Sequence, residues 1–97
     1  MLVHAVYFWL KPDLKPEDVR KFDEGVRSLL KIPNVLHGWV GKPAETDRPV
    51  IDRSYSYALV VAFEDMAGHD IYQVHPIHKS FLECSGMWTK VQIYDSI

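Results

Sequence analysis

The segment Leu2–Lys11, LVHAVYFWLK, constrains the fold more than any other, because it reads as a strand with apolar residues on both faces. Its Val, Tyr, Phe and Trp residues favour extended backbone, and the following Pro12-Asp13 supplies a turn that closes it. Side chains alternate along a strand, so His4, Val6, Phe8 and Leu10 share one side while Val3, Ala5, Tyr7 and Trp9 share the other. Such a strand must be covered twice. With 97 residues the chain has room for one core and leaves much of its surface in water, so one of the two faces calls for a partner.

The rest of the sequence supplies cover for a single face. Pro16 suits a first helical turn, Glu17 and Asp18 favour its positive end, and Val19, Phe22, Val26, Leu29 and Leu30 recur at helical spacing up to Pro33-Asn34. Val35 to Gly41 reads as a short second strand. Lys42 to Ser54 lacks an apolar period and is expected to be a surface loop near a pocket mouth or a dimer contact. Tyr55 to Phe63 alternates, with Tyr55, Tyr57, Leu59, Val61 and Phe63 opposed to Ser56, Ala58, Val60 and Ala62. Asp65 can cap a helix over Met66 to Val74, Pro76 can open another running to about Cys84, and Trp88 to Tyr94 reads as a last strand.

The order is βαββαβ with its second helical region broken. That predicts one α+β domain of ferredoxin-like type over residues 1–97, a four-stranded antiparallel sheet with helices on one face. The other face would show Val3, Ala5, Tyr7, Trp9, Trp39, Ala58, Val60 and Ala62, too continuous an apolar patch for a monomer. A homodimer through that open sheet face is the simplest cover.

Composition removes several function classes. A formal net charge of -2 with scattered Lys and Arg gives no footprint for a phosphate backbone, so nucleic acid is not an expected partner. No apolar run approaches the ~20 residues that span a bilayer, and no membrane partner is expected. The start MLVHAVYFWLKP lacks the marks of a signal peptide and the lone Cys84 has no partner for a disulfide, so the expected compartment is the cytoplasm.

The segment DIYQVHPIHKSF carries the chemistry. Pro76 lacks an N–H, and its ring clashes with the carbonyl of residue 72, so the helix breaks between Tyr72 and His78. Tyr72 then ends one helix and His78 lies in the first turn of the next, where a phenol and an imidazole can aim at a common point. Helix polarity and burial both favour neutral His78, a proton acceptor near neutral pH, while the Tyr72 hydroxyl can polarise a carbonyl oxygen. The same His-Pro-x-His turn also has a purely structural reading, with His75 capping the second helix. A zinc site on His4, His75 and His78 lacks a cysteine or carboxylate at ligand spacing, so neither a metal nor another cofactor is expected. His37 and His69 are expected to be exposed.

The opening strand with His4, the HPIH segment preceded by Tyr72, Phe81 after it, and the closing strand WTKVQIYD resemble the stress-responsive A/B-barrel (Dabb) domain almost end to end. The resemblance implies a dimeric α+β barrel with a pocket between sheet and helices. In the family's plant olivetolic acid cyclase, the pair corresponding to Tyr72 and His78 serves an intramolecular aldol condensation of a poly-β-keto thioester. It further implies that His4, Phe22, Phe81 and Trp88 line the pocket, with Tyr57 where the cyclase carries a histidine. Two more departures alter the surroundings: Leu82 replaces a glycine, and Asp23 stands where an aromatic is expected.

Three functions remain open from sequence. One is a cofactor-independent lyase or cyclase acting on an enolisable carbonyl, with His78 as base and Tyr72 as carbonyl-oxygen donor. The second is a non-catalytic stress-associated dimer that binds a small apolar metabolite, and the third is a structural dimer with a filled core. What separates them is the volume bounded by His4, Phe8, Phe22, Leu59, His78, Phe81 and Trp88.

Overall fold

A computed structural model describes all residues from Met1 to Ile97. Four strands, β1 (Leu2–Leu10), β2 (His37–Gly41), β3 (Tyr57–Phe63) and β4 (Trp88–Ser96), form one sheet in the order β2-β3-β1-β4, with every neighbouring pair antiparallel. Three helices, α1 (Pro16–Ser28), α2 (Met66–Val74) and α3 (Pro76–Phe81), cover one face, and the molecule measures 36 × 32 × 17 Å. The short dimension is that of a single helix layer on a single sheet. This is the ferredoxin-like α+β fold that the element order predicts. No helix is long and apolar enough to cross a membrane.

Local chemistry sets the boundaries. Pro16 opens α1, and Asp18 accepts the Lys15 N–H at 3.3 Å. After Ser28 the chain tightens into a 3-10 turn at Leu29–Lys31, which drops Leu29 and Ile32 into the core before Pro33 ends the helical run. Asp65 caps α2 by accepting the Gly68 N–H at 2.9 Å. Pro76 breaks the helix as its ring geometry requires, and His75 caps α3, its Nδ1 accepting the Ile77 N–H at 3.1 Å. His75 thus serves the turn. α3 stops at Phe81, short of the expected Cys84, and Leu82–Met87 continues as 3-10 helix.

Two expectations about the strands need correction. Tyr55 does not share a face with Tyr57. The strand begins only at Tyr57, and Tyr55 turns to the open side, its ring 5.0 Å from that of Tyr7. The open face is also less bare than alternation suggests, because the loop 42–56 runs over one end of it. Trp9 Nε1 donates to Ser54 Oγ at 3.0 Å, and Lys90 Nζ lies 4.5 Å from the Trp9 ring centre. Tyr7 and Trp9 are half-buried beside these contacts, Val3, Ala5, Ala58 and Val60 are half-buried as well and Ala62 is buried, while Trp39 remains 61% exposed. Tyr7, Trp9, Tyr55 and Tyr94 border a wide groove of about 380 Å³ on this side.

Candidate functional site

The helix-covered face of β1 carries His4, Val6 and Phe8, all buried. Opposite them stand Tyr72 near the end of α2, His78 in α3 and Phe81 at the end of α3. Gly25 of α1 lets α3 approach, since a Cβ there would stand 3.2 Å from the Phe81 ring. The layers do not close over β4, and a cavity of about 140 Å³ remains, walled by His4, Phe8, Leu59, Tyr72, His78, Phe81 and Trp88. Its lining is nearly all apolar, with the imidazoles, the phenol and Gln73 as the polar groups.

Seven of the nine residues expected from sequence thus meet on one cavity. Phe22 and Tyr57 do not. Phe22 is completely buried behind the wall, its ring 5.2 Å from Phe8 and 5.7 Å from Phe81, so it supports the lining. Tyr57 points away, its hydroxyl donating to Asp23 Oδ2 at 2.8 Å, while Arg27 Nε donates to Asp23 Oδ1 at 2.9 Å. Asp23, an anomaly against the family pattern, is the acceptor that holds Tyr57 off the site. Burial, with this bond second, pushes the Tyr57 phenol up to about 12.

Tyr72 and His78 meet edge to face with ring centres 5.0 Å apart, without a direct hydrogen bond between them. Their electrostatics suit neutral acid–base work. Burial alone pushes the Tyr72 phenol upward, which keeps it a neutral donor. Burial, then the nearby His4 and His69 imidazoles, lowers His78 below the ordinary 6.5, which keeps it an uncharged acceptor at neutral pH. His78 Nδ1 is the one buried side-chain polar atom in the chain without a hydrogen-bond partner. Buried polar groups are nearly always paired, and a catalytic role is one of the explanations for an exception.

His4 is tied to the last strand, its Nδ1 hydrogen-bonded to Asp95 Oδ1. Burial and, more weakly, His69 lower the proton affinity of His4, and Asp95 raises it. Burial is the larger, and Asp95 is partly in solvent, so the contact is a neutral imidazole donating to a carboxylate. His69, expected to be exposed, is 8% exposed and packs edge to face on His4 with ring centres 4.9 Å apart.

Residues missed by sequence reasoning are Val6, Leu29, Gln73, Val91 and Ile93, all on the cavity wall, where Leu82 also stands as the resemblance implied. Strand alternation and the α1 period already hold Val6 and Leu29. Val91 and Ile93 were hidden by a bulge: Leu10 pairs with Trp88 but Trp9 with Lys90, so Thr89 is an extra residue. Beyond it, Val91 and Ile93 share the face of Trp88, which simple alternation forbids.

A family model for the stress responsive A/B barrel domain matches residues 2–97. The chain belongs to the Dabb family. Three solved structures are similar across the whole chain. A dimeric ferredoxin-like protein of unknown function from Thermobifida fusca is 21% identical, with 98% of this chain and 88% of that one covered and a TM-score of 0.78. A Dabb family protein from Mesorhizobium loti, also ferredoxin-like, is 24% identical over 99% and 94%, with a TM-score of 0.77. A hydroxynitrile lyase from Passiflora edulis is 18% identical over 99% and 91%, with a TM-score of 0.79. No curated protein matches the sequence. At these identities the likeness bears on the fold, and the site must be argued from its own geometry.

Proposed function

We propose that this Dabb chain is a homodimer whose sheet–helix cavity binds a small molecule with an enolisable carbonyl and acts on it as a cofactor-independent lyase or cyclase. His78 removes a proton α to the carbonyl, and the neutral Tyr72 hydroxyl donates to the oxygen as enolate charge develops there. The observation that carries this reading is the meeting of His78, kept uncharged chiefly by burial, with a phenol raised by burial alone, their rings 5.0 Å apart and both residues on the wall of one apolar cavity. The occurrence of a hydroxynitrile lyase on the same fold supports it as a scaffold for such chemistry. Dimeric relatives of this fold support the homodimer.

The cavity limits the substrate. At about 140 Å³ it is close to the ~150 Å³ that encloses a benzene ring. Leu82 forms part of the wall, so a ring or a short β-keto unit fills the cavity and a longer tail would have to leave through the open side over β4. The test is α-proton exchange of a short β-keto thioester, acetoacetyl-N-acetylcysteamine, followed by NMR in D2O. Exchange above the buffer rate that disappears in His78→Ala supports the reading, and a parent protein no faster than buffer overturns it. Binding of the thioester without exchange would favour the non-catalytic reading, for which the apolar lining is the supporting observation.

A further inference from the structure

A second cluster shares His4 with the cavity wall and adds His69 and Asp95, which do not line it. His4 of β1, His69 of α2 and Asp95 of β4 each offer one ligand atom, and these atoms lie within 4.8 Å of one another. The His4 side chain is 5% exposed and that of His69 11%, while Asp95 keeps 42% of its side chain in solvent. Asp95 stands 91 residues from His4, which is why a search for a carboxylate at ligand spacing along the sequence passes over it.

We propose that His4, His69 and Asp95 bind a divalent transition ion of the zinc class, one per chain. Two imidazole nitrogens and one carboxylate oxygen are the donors that zinc and its first-row neighbours favour, and three protein ligands leave a fourth position open. Oxygen-seeking magnesium is a poor match for two imidazoles. The His69 ring is also held by neighbours outside the cluster. The Gln73 amide Nε2 can only donate, so His69 Nε2 accepts from it at 3.1 Å and His69 Nδ1–H donates to Asp70 at 3.2 Å. An ion would take the place of one of these two contacts of His69 and of the proton between His4 and Asp95, and the remaining contact would fix the His69 ring, as is usual for ligating histidines. The half-exposed carboxylate gives the ion its way in. Bound there, the ion clamps the edge strand β4 to β1 and α2, next to the open side of the cavity, and the His78–Tyr72 pair is untouched.

Zinc titration of untagged, chelator-stripped full-length protein tests the proposal, read by calorimetry and by thermal melting. One ion per chain, a higher melting temperature with zinc and none with an equal concentration of magnesium are expected. Cobalt should give the intense visible bands of a four-coordinate site. His69→Ala and Asp95→Asn should each weaken zinc binding at least tenfold, while His37→Ala, on the exposed side of β2, leaves it unchanged. Asp95→Asn removes the charge from a partly exposed position and keeps the test available if His69→Ala does not fold. Absence of saturable one-to-one binding, or binding equally tight in Asp95→Asn, overturns the site.

Discussion

The two faces of β1 differ in how far one chain can finish them. On the helix side His4, Val6 and Phe8 are sealed beneath α1, α2 and α3, and Phe22, Val26 and Val61 are fully buried. On the other side Val3, Ala5, Tyr7 and Trp9 are half-covered, and Trp39 at the edge is mostly in solvent. Both faces are equally apolar in sequence. The finished face nonetheless contains the histidines, a buried phenol and a cavity, while the unfinished one carries an aromatic groove with only Asp52, Lys90 and Gln92 as polar neighbours. Polar groups are tolerated inside the first because each has a defined partner or a cavity, whereas the second remains a surface that another copy can complete.

The largest expected break of this contrast is Trp9→Glu. Desolvating a carboxylate in a sheet-to-sheet contact is costly even with Lys90 beside it, so sedimentation should show the association weakened or lost relative to the parent. A dimer of unchanged strength would mean that the open face is not the interface. On the covered side, His78→Ala should cut exchange of the β-keto thioester by about 10²–10⁴-fold, the usual range for a general base. Its melting temperature should stay close to the parent's, since His78 already leaves Nδ1 unpaired. Tyr72→Phe should slow the reaction less, by about 10²-fold, because the ring and its packing against Phe63 remain and only the donor is lost.

Acid should reveal the same face more gently. His78 and His4 both hold protons less tightly folded than at the ordinary 6.5, chiefly through burial. Below that pH the unfolded chain binds more protons than the folded one. Stability of the metal-free protein should therefore fall as pH drops from about 6.5 towards the lowered folded values and stay level above neutrality. Chemical denaturation across this range checks the slope, which should be shallower in His78→Ala. The smallest effect belongs to Tyr57→Phe. It removes one bond to a partly exposed carboxylate that Arg27 still holds, so about 1 kcal/mol of stability should be lost. Exchange activity should not change, and a large fall would put Tyr57 back on the cavity.

The sequence by itself determined the element order and the Pro76 break, and it allowed the His75 cap and the approach of Tyr72 to His78, because these depend on backbone chemistry and on residues a few positions apart. It also determined that β1 needs cover on both sides, since strand alternation is a local rule. Only the tertiary structure decided what depends on register and on distant partners. The extra residue at Thr89 turns Val91 and Ile93 into the cavity, and pairing across the sheet brings Asp95 to His4. A hydrogen bond to Asp23 takes Tyr57 off the site, and packing of α2 on the sheet buries His69 beside His4. In each case the deciding contact joins residues that no periodicity connects, and it exists only once the sheet has been assembled and the helices laid on it.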